Sequence, residues 1–466
     1  MTRDAVLVRK GVYHDSVTLM RVSRSLSDLP GMQVAIVAMA TELNLGLARD
    51  LGFDLPPADP GDLLVALRGD GVDTAAGELD HALARLSASR TQAADQPPLT
   101  TRSAAARTPA DLVLVSVPGE HAFCEALDAV HAGLPVMIFS DGVPVAQERR
   151  LKLLAEERDV LVMGPDCGTA VIAGAGLGFA NVLRPGPVGV VAASGTGAQQ
   201  VTSLLDQAGA GVSHVLGVGG RDLSAEVGGL STMRALRMLD DDPATELIVL
   251  VSKPPDPEVA RAVRDVVETL RTPVVSALLG ERDLTAAAEE ALRALGRPVP
   301  EWESWPGWSP TSTYTKLKGI YSGGTLCAEA SLIAGRGEFT DYGDDAYTRG
   351  RAHPMIDPTL RLEALAQVEP GDVVLMDVVL GHGADPDPAA SLASAIAHIT
   401  ARTTHHAPSH ATDHATGHGA VTVIVALIGT EGDPQGLHRQ AAAFREAGAT
   451  VFTSNAQAAR HARNLL

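Results

Sequence analysis

Val188-Gly-Val-Val-Ala-Ala-Ser194-Gly195-Thr196-Gly197-Ala-Gln-Gln200 reads as a buried strand that turns through small residues into a helix. Such a turn leaves the first helical amides without partners and aims the positive end of the helix dipole at one point. That point attracts phosphate or carboxylate. Small residues also serve plain packing in any α/β turn, so taken alone the motif is equally a packing device.

Outward from this stretch the same unit repeats. Downstream, strands are expected at 212–218, 247–251 and 273–278, with helices at 196–207, 230–239 and 257–270. Upstream, strands at 111–117, 135–139 and 160–163 alternate with helices at 120–132 and 144–157. Alternation at this spacing predicts doubly wound parallel sheets. A smaller N-terminal α/β unit is expected from strands at 5–8, 34–39 and 63–67, and a last α/β unit from a helix at 322–333 and strands at 373–378, 421–428 and 450–453. The predicted organisation is 1–86, a small N-terminal α/β domain; 87–110, a linker poor in large apolar residues; 111–184 and 185–301, two α/β domains; 302–310, a Trp/Pro-rich connector packed between domains; and 311–466, a third α/β domain. Residues 398–418 hold six of the fifteen histidines without a period that would fix a metal frame, and are expected to be a mobile surface insertion.

Composition fits this fold. The chain of 466 residues has 37 basic and 56 acidic side chains, a net charge of −19, with 46 glycines and only 3% aromatic residues. Its core must be aliphatic, as in parallel sheets covered on both faces. The acidity argues against nucleic-acid or anionic-membrane partners, which need a basic face. No apolar run approaches the roughly 18 residues that span a bilayer. Three scattered cysteines, Cys124, Cys167 and Cys327, form no disulfide framework or metal knuckle, so a cytoplasmic location is expected.

Candidate chemistry gathers at strand ends. Besides Ser194, Gly195, Thr196 and Gly197, a second small-residue turn, Ser322-Gly323-Gly324-Thr325, opens a helix in the last domain. Two such turns in consecutive α/β domains point to helix N-termini facing each other across an anion. A third loop, Gly219-Gly220-Arg221-Asp222, offers close backbone approach, a guanidinium for a carboxylate or phosphate, and a carboxylate to orient a donor. Lys253 ends a strand, where it is either a phosphate-pairing charge or a solvated end. Asp166 and Asp377 are strand-end carboxylates; Asp385 and Asp387 could hold Mg²⁺ but read better as a turn and helix start.

The segments Met163-Gly-Pro-Asp-Cys-Gly-Thr169, Ala193-Ser-Gly-Thr-Gly197, Gly217-Val-Gly-Gly-Arg-Asp-Leu-Ser224, Ser252-Lys-Pro-Pro255, Tyr321-Ser-Gly-Gly-Thr-Leu-Cys327 and Gly429-Thr-Glu-Gly-Asp-Pro434 together resemble the FdrA family, as does Arg9-Lys-Gly-Val-Tyr-His-Asp-Ser-Val-Thr-Leu-Met20. That family is similar to succinyl-CoA synthetase. The resemblance implies a Rossmann-like CoA-binding-type domain at 111–184 and two flavodoxin-like ligase-type domains at 185–301 and 311–466. It also implies that the turns at 194–197 and 322–325 match the helix N-termini that cradle phosphate in the ligases.

One departure stands out. The ligases carry phosphate on a histidine in a Gly-His-Ala-Gly loop after the strand that matches 273–278. This chain has Gly280-Glu-Arg-Asp there, with Lys253 roughly where the ligases place a supporting glutamate. Two look-alikes, Gly381-His382-Gly383-Ala384 and Gly417-His418-Gly419-Ala420, fall in the wrong domain. Without a carrier the cradle suits direct transfer from an acyl phosphate. The resemblance implies an oxamate carbamoyltransferase subunit of purine and allantoin breakdown, interconverting oxalurate plus phosphate with oxamate plus carbamoyl phosphate. Companion carbamoyltransferase subunits in an oligomeric complex and a carbamate kinase would accompany it. No cofactor is required, with CoA and Mg²⁺ left open. The alternatives are an acyl-CoA or succinate–CoA ligase subunit and a non-catalytic scaffold or sensor.

Overall fold

The computed structural model describes residues 3–87, 98–307, 314, 316–404 and 420–466. The N-terminal unit is an antiparallel sheet in the order Arg3–Arg9, Leu63–Gly69, Met32–Met39. Its central strand is buried on both faces by the period of two. Leu63, Val65 and Leu67 pack with Leu19, Val22 and Leu79 of the covering helices, whereas Leu64 and Ala66 pack with Phe53 and Ala48 on the other face.

The stretch expected to be a linker is partly ordered. Thr100 and Ser103 form a reciprocal capping box that starts a helix, Thr101–Arg107, continued by three alanines of high helix propensity. Thr101 Oγ1 and the backbone amide of Thr101 bond to Glu125, and Arg102 to Asp128, on the helix Gly119–His131. Residues 88–97 of the expected linker lie outside the described residues.

Next comes a three-stranded parallel sheet, Val113–Val115, Val136–Ile138 and Val162–Met163. The expected boundary at 184 does not coincide with a sheet boundary. A hairpin, Thr169–Ile172 and Ala175–Gly178, pairs antiparallel with Val212–Gly217 and extends the following sheet. That sheet runs edge to edge Val274–Leu278, Leu247–Ser252, Pro185–Ala192, Val212–Gly217, then the hairpin. The glycine-rich strand Ala175–Gly178 carries no apolar alternation, so the sequence pattern hides its pairing.

The last sheet is parallel except at one edge, in the order Ser304–Trp305, Thr450–Phe452, Thr422–Ile428, Asp372–Val379, Lys316–Tyr321, Glu338–Asp341. The expected connector thus contributes an antiparallel edge strand. Trp302 is buried, donating to Glu289, and Trp305 stands edge-on to His438; residues 308–310 lie outside the described residues. The helix Pro388–Thr404 takes up the start of the histidine-rich stretch, while 405–419, including His418, lies outside the described residues.

The two six-stranded units share one core. Leu204 of Gly195–Gln207, Leu284 and Ala288 of Leu284–Ala294, Leu326 and Ala330 of Gly324–Ala334, and Ala458 and Ala462 of Asn455–Asn464 form a continuous apolar layer between the sheets. This layer brings the two phosphate-turn helices together. Among the described residues no helix is long and apolar enough to cross a membrane.

Candidate functional site

The strands Pro185–Ala192 and Lys316–Tyr321 both end at the interface of their units, and each delivers a helix tip there. Ser194 caps the first helix, accepting from the Gly197 amide at 3.0 Å, and its hydroxyl donates to Thr325 Oγ1 of the second helix at 2.6 Å. A Cβ on Gly323 would lie 2.8 Å from Thr196 Cγ2 and Oγ1, so glycine is what permits the tips to touch. Among the described residues, the amides of Gly195, Thr196, Gly324, Thr325 and Leu326 have no protein partner. Two helix dipoles and five donors therefore converge on one place. The eight expected turn residues, 194–197 and 322–325, are brought together.

Not all their amides are free. Asp377, fully buried, accepts from the Ser322 amide at 2.8 Å, the Gly323 amide at 2.8 Å and the Ser322 hydroxyl at 3.0 Å, and pairs with buried Arg361 at 2.9 Å. Asp377 thus braces the second tip from beneath and is committed to that task.

Lys253 follows the strand Leu247–Ser252 and is exposed; its carbonyl accepts from the Ser252 hydroxyl at 2.6 Å, while its ammonium has no hydrogen bond or ion pair among the described residues. Its Nζ lies 3.6 Å from the point where a Cβ on Gly324 would sit. Asp341 Oδ2 lies 2.6 Å from the same point, while its Oδ1 accepts from the Gly343 amide at 2.9 Å. Burial pushes Asp341 up to about 6, with Asp377 adding to the rise and the Gly343 amide and Lys253 opposing it. A cation and a carboxylate of raised proton affinity thus flank the first residue of the second helix.

The third glycine loop divides. Gly219, at φ +90, packs on Pro165, whose carbonyl oxygen would be 2.5 Å from a Cβ there; a Cβ on Gly220 would lie 3.8 Å from Asp166 Oδ2. Desolvation of the Asp166 carboxyl, with the like charges of Asp141 and Asp345, holds it above the ordinary carboxylate range, against Arg221 and Lys253. Arg221 donates to the Val143 carbonyl at 2.7 Å; Glu148 Oε2 is 2.9 Å away but off the hydrogen-bonding direction, an ion pair without a hydrogen bond. Asp222 does not reach the cleft. It is fully buried, accepts from Lys152 at 2.8 Å, and caps the helix Leu230–Asp241 through Ser231 and Thr232.

His382 is exposed beside Ala180, whose carbonyl accepts from its amide at 2.8 Å, and it neighbours Asp433; among the described residues no hydrogen bond links it to the helix tips. Asp385 and Asp387 form a turn into the helix Pro388–Thr404, with the Asp387 amide donating to Asp385 Oδ1 at 2.9 Å. After Val274–Leu278, Asp283 caps the next helix by accepting from the Ala286 amide at 2.7 Å, and Arg282 bonds to the Ser276 carbonyl. That loop therefore offers caps and a cation where the ligases place their histidine.

Sequence reasoning missed Asp341 and His353. His353 Nε2 and Asp341 Oδ1 lie 2.7 and 3.1 Å from the position of a Cβ on Gly343. His353 Nδ1 accepts from the Met355 amide at 3.2 Å, and burial lowers the imidazole to about 4. It is neutral near pH 7 with its proton on Nε2, a donor and not a nucleophile. The available signal for Asp341 was Phe339-Thr340-Asp341-Tyr342-Gly343, a strand end running into a turn.

Three family models match: AllF, heavy metal-associated domain, over residues 1–98; CoA binding domain over 184–277; and CoA-ligase over 320–465. The CoA-binding match falls on the six-stranded unit after 184, whereas the sequence reading placed that domain at 111–184. Residues 1–98 contain no cysteine and only His14 and His81, and among the described residues no group of three His, Cys, Asp or Glu side chains could hold an ion. A solved ATP citrate lyase from Methanothrix soehngenii in complex with citrate and coenzyme A covers 43% of this chain and 37% of its own at 21% identity, TM-score 0.32. Succinate–CoA ligase [ADP-forming] subunit alpha 2 of Archaeoglobus fulgidus is 28% identical, covering 50% of this chain and 73% of that protein. The uncharacterized protein YahF of Escherichia coli K12 is 34% identical over 522 aligned positions, 99% of this chain and 98% of that one. With end-to-end coverage by YahF and ligase-type domains on the two units that build the cradle, the chain belongs to the FdrA-type family of succinyl-CoA-synthetase-like proteins.

Proposed function

We propose that this chain is a subunit of a carbamoyltransferase that interconverts oxalurate plus phosphate with oxamate plus carbamoyl phosphate. The carrying observation is a two-helix anion cradle with an unpaired lysine beside it and no imidazole in the loop after Val274–Leu278. A phosphoenzyme relay needs a nucleophile in that place; direct attack by bound phosphate needs only positioning and charge stabilisation. The amides of Gly195, Thr196, Gly324, Thr325 and Leu326 hold the phosphate, and Lys253 balances its charge. Arg221, which like Lys253 acts on Asp166, offers the substrate carboxylate its half-exposed guanidinium. The AllF name of the N-terminal match supports a place in allantoin breakdown.

The purified chain with its companion subunits should release oxamate from oxalurate only when phosphate is present, and Lys253→Ala should impair release. Phosphate binding without turnover in any reconstituted mixture would point instead to a sensor subunit.

A second reading, a CoA ligase subunit, is favoured by the resemblance to succinate–CoA ligase alpha subunits. It requires another histidine. His353 stands beside Asp341, but its acceptor Nδ1 leaves the proton on Nε2 and no free lone pair toward the cleft. This reading expects an acid-labile phosphoprotein after incubation with ATP and a β-type partner.

A further inference from the structure

We infer that Asp341 is the proton-transfer residue of this reaction, taking the proton from the hydroxyl of the attacking phosphate and passing it to the nitrogen that leaves with oxamate. This rests on the proposed carbamoyl transfer. The transfer itself creates the need. As hydrogen phosphate attacks, an O–C bond forms to the ureido carbon and the C–N bond to the oxamate nitrogen breaks. The bonding pair stays on nitrogen, which must gain one proton, while the attacking oxygen must lose one. One group that accepts and then returns the proton balances both changes, and the carboxylate ends as it began.

Asp341 is placed for this. One oxygen is fixed by the Gly343 amide at 2.9 Å. The other has no partner among the described residues and lies against Gly324, the first residue of the second helix, where a Cβ would be 2.6 Å from it. Lys253 Nζ faces the same point at 3.6 Å, and the unpaired amides of Gly324 and Thr325 begin there. A carboxylate beside an anion cradle would repel phosphate unless the two share a proton. The ionisable groups around it are Lys253, Asp377, Asp344, His353 and Cys327. Among them burial keeps Cys327 a neutral thiol and His353 a neutral imidazole, Lys253 is a cation, and Asp377 is engaged by Arg361 and two amides. Asp341 alone combines a free oxygen, contact with the helix tip and a proton affinity near neutrality.

The test uses the full chain with its companion subunits. Asp341→Asn should lower kcat by about 100-fold or more, while calorimetry on the chain alone shows inorganic phosphate bound as tightly as in the wild type or more tightly. Asp341→Ala should regain activity on addition of formate, a small acid that fits the space left by the carboxyl. Asparagine retaining kcat within about threefold overturns the inference and leaves the function standing. So does a loss that formate does not relieve and that is matched by lost phosphate affinity, which would make Asp341 a structural residue. A wild-type complex that never turns oxalurate over overturns the proposed function and this inference with it.

Discussion

The hydroxyl of Ser194 donates to the hydroxyl of Thr325 across 2.6 Å, tying the tips of two helices that belong to different sheets and stand 131 residues apart in sequence. The same Ser194 oxygen accepts from the Gly197 amide, so one side chain both caps its own helix and sets the spacing of the anion cradle. Thr325→Val keeps the shape and removes the acceptor. It should cost about 1 kcal/mol in stability and weaken phosphate binding measured by calorimetry. Ser194→Ala loses the cap as well and should cost about 1–2 kcal/mol.

Gly324 gives a steric prediction. A methyl group there would sit 2.6 Å from Asp341 Oδ2 and 3.6 Å from Lys253 Nζ, in the space between the two charged groups. Gly324→Ala should therefore displace Asp341 and obstruct the cradle while leaving the helix, for which alanine is a better former, intact. The expected result is loss of phosphate binding with an unchanged or slightly raised melting temperature. Unchanged affinity would place the anion elsewhere.

The two helix starts were legible in the sequence because their physics is local: a strand, small residues and a helix start announce unpaired amides wherever they fold. Lys253 was legible for the same reason, as a charge at a strand end. Asp222, in the loop after Val212–Gly217, and Asp377, inside Asp372–Val379, look equally available in the sequence, yet one pairs with Lys152 from another unit and the other with Arg361. Partners 70 and 16 residues away leave no mark on the local pattern. Asp341 escaped because its strand, Glu338–Asp341, is only four residues long and shows no alternation. The hairpin Thr169–Ile172 and Ala175–Gly178 escaped for the same reason, and with it the true edge of the central sheet.

Asp222 is expected to matter for folding more than for ligand. Lys152 Nζ lies 2.8 Å from both Glu148 Oε1 and Asp222 Oδ1 and 3.0 Å from the Val218 carbonyl, all of it buried. Asp222→Ala removes one of the two carboxylates facing a buried ammonium and uncaps Leu230–Asp241, so about 3–5 kcal/mol should be lost. Urea unfolding measures this. A variant as stable as the wild type would show that Lys152 finds water or another partner.

Glu329 predicts a pH dependence whose sign is fixed by burial. It accepts from the Leu284 amide at 2.6 Å and from Asn455 Nδ2 at 2.7 Å inside the core shared by the two sheets. Burial pushes its carboxyl up to about 7 from an ordinary 4.5, against the pull of those two donors. Between these values the folded chain binds a proton that the unfolded chain has released, so the stability it confers is complete below about 4.5 and declines as pH rises to about 7. The decline should amount to roughly 1–3 kcal/mol. Glu329→Gln keeps the shape and an acceptor oxygen and has nothing to titrate. Unfolding free energies measured across this range should fall with pH more steeply in the wild type than in the glutamine variant. Parallel slopes would mean that Glu329 is ionised throughout, held by Asn455 and the amide at the start of Leu284–Ala294 alone.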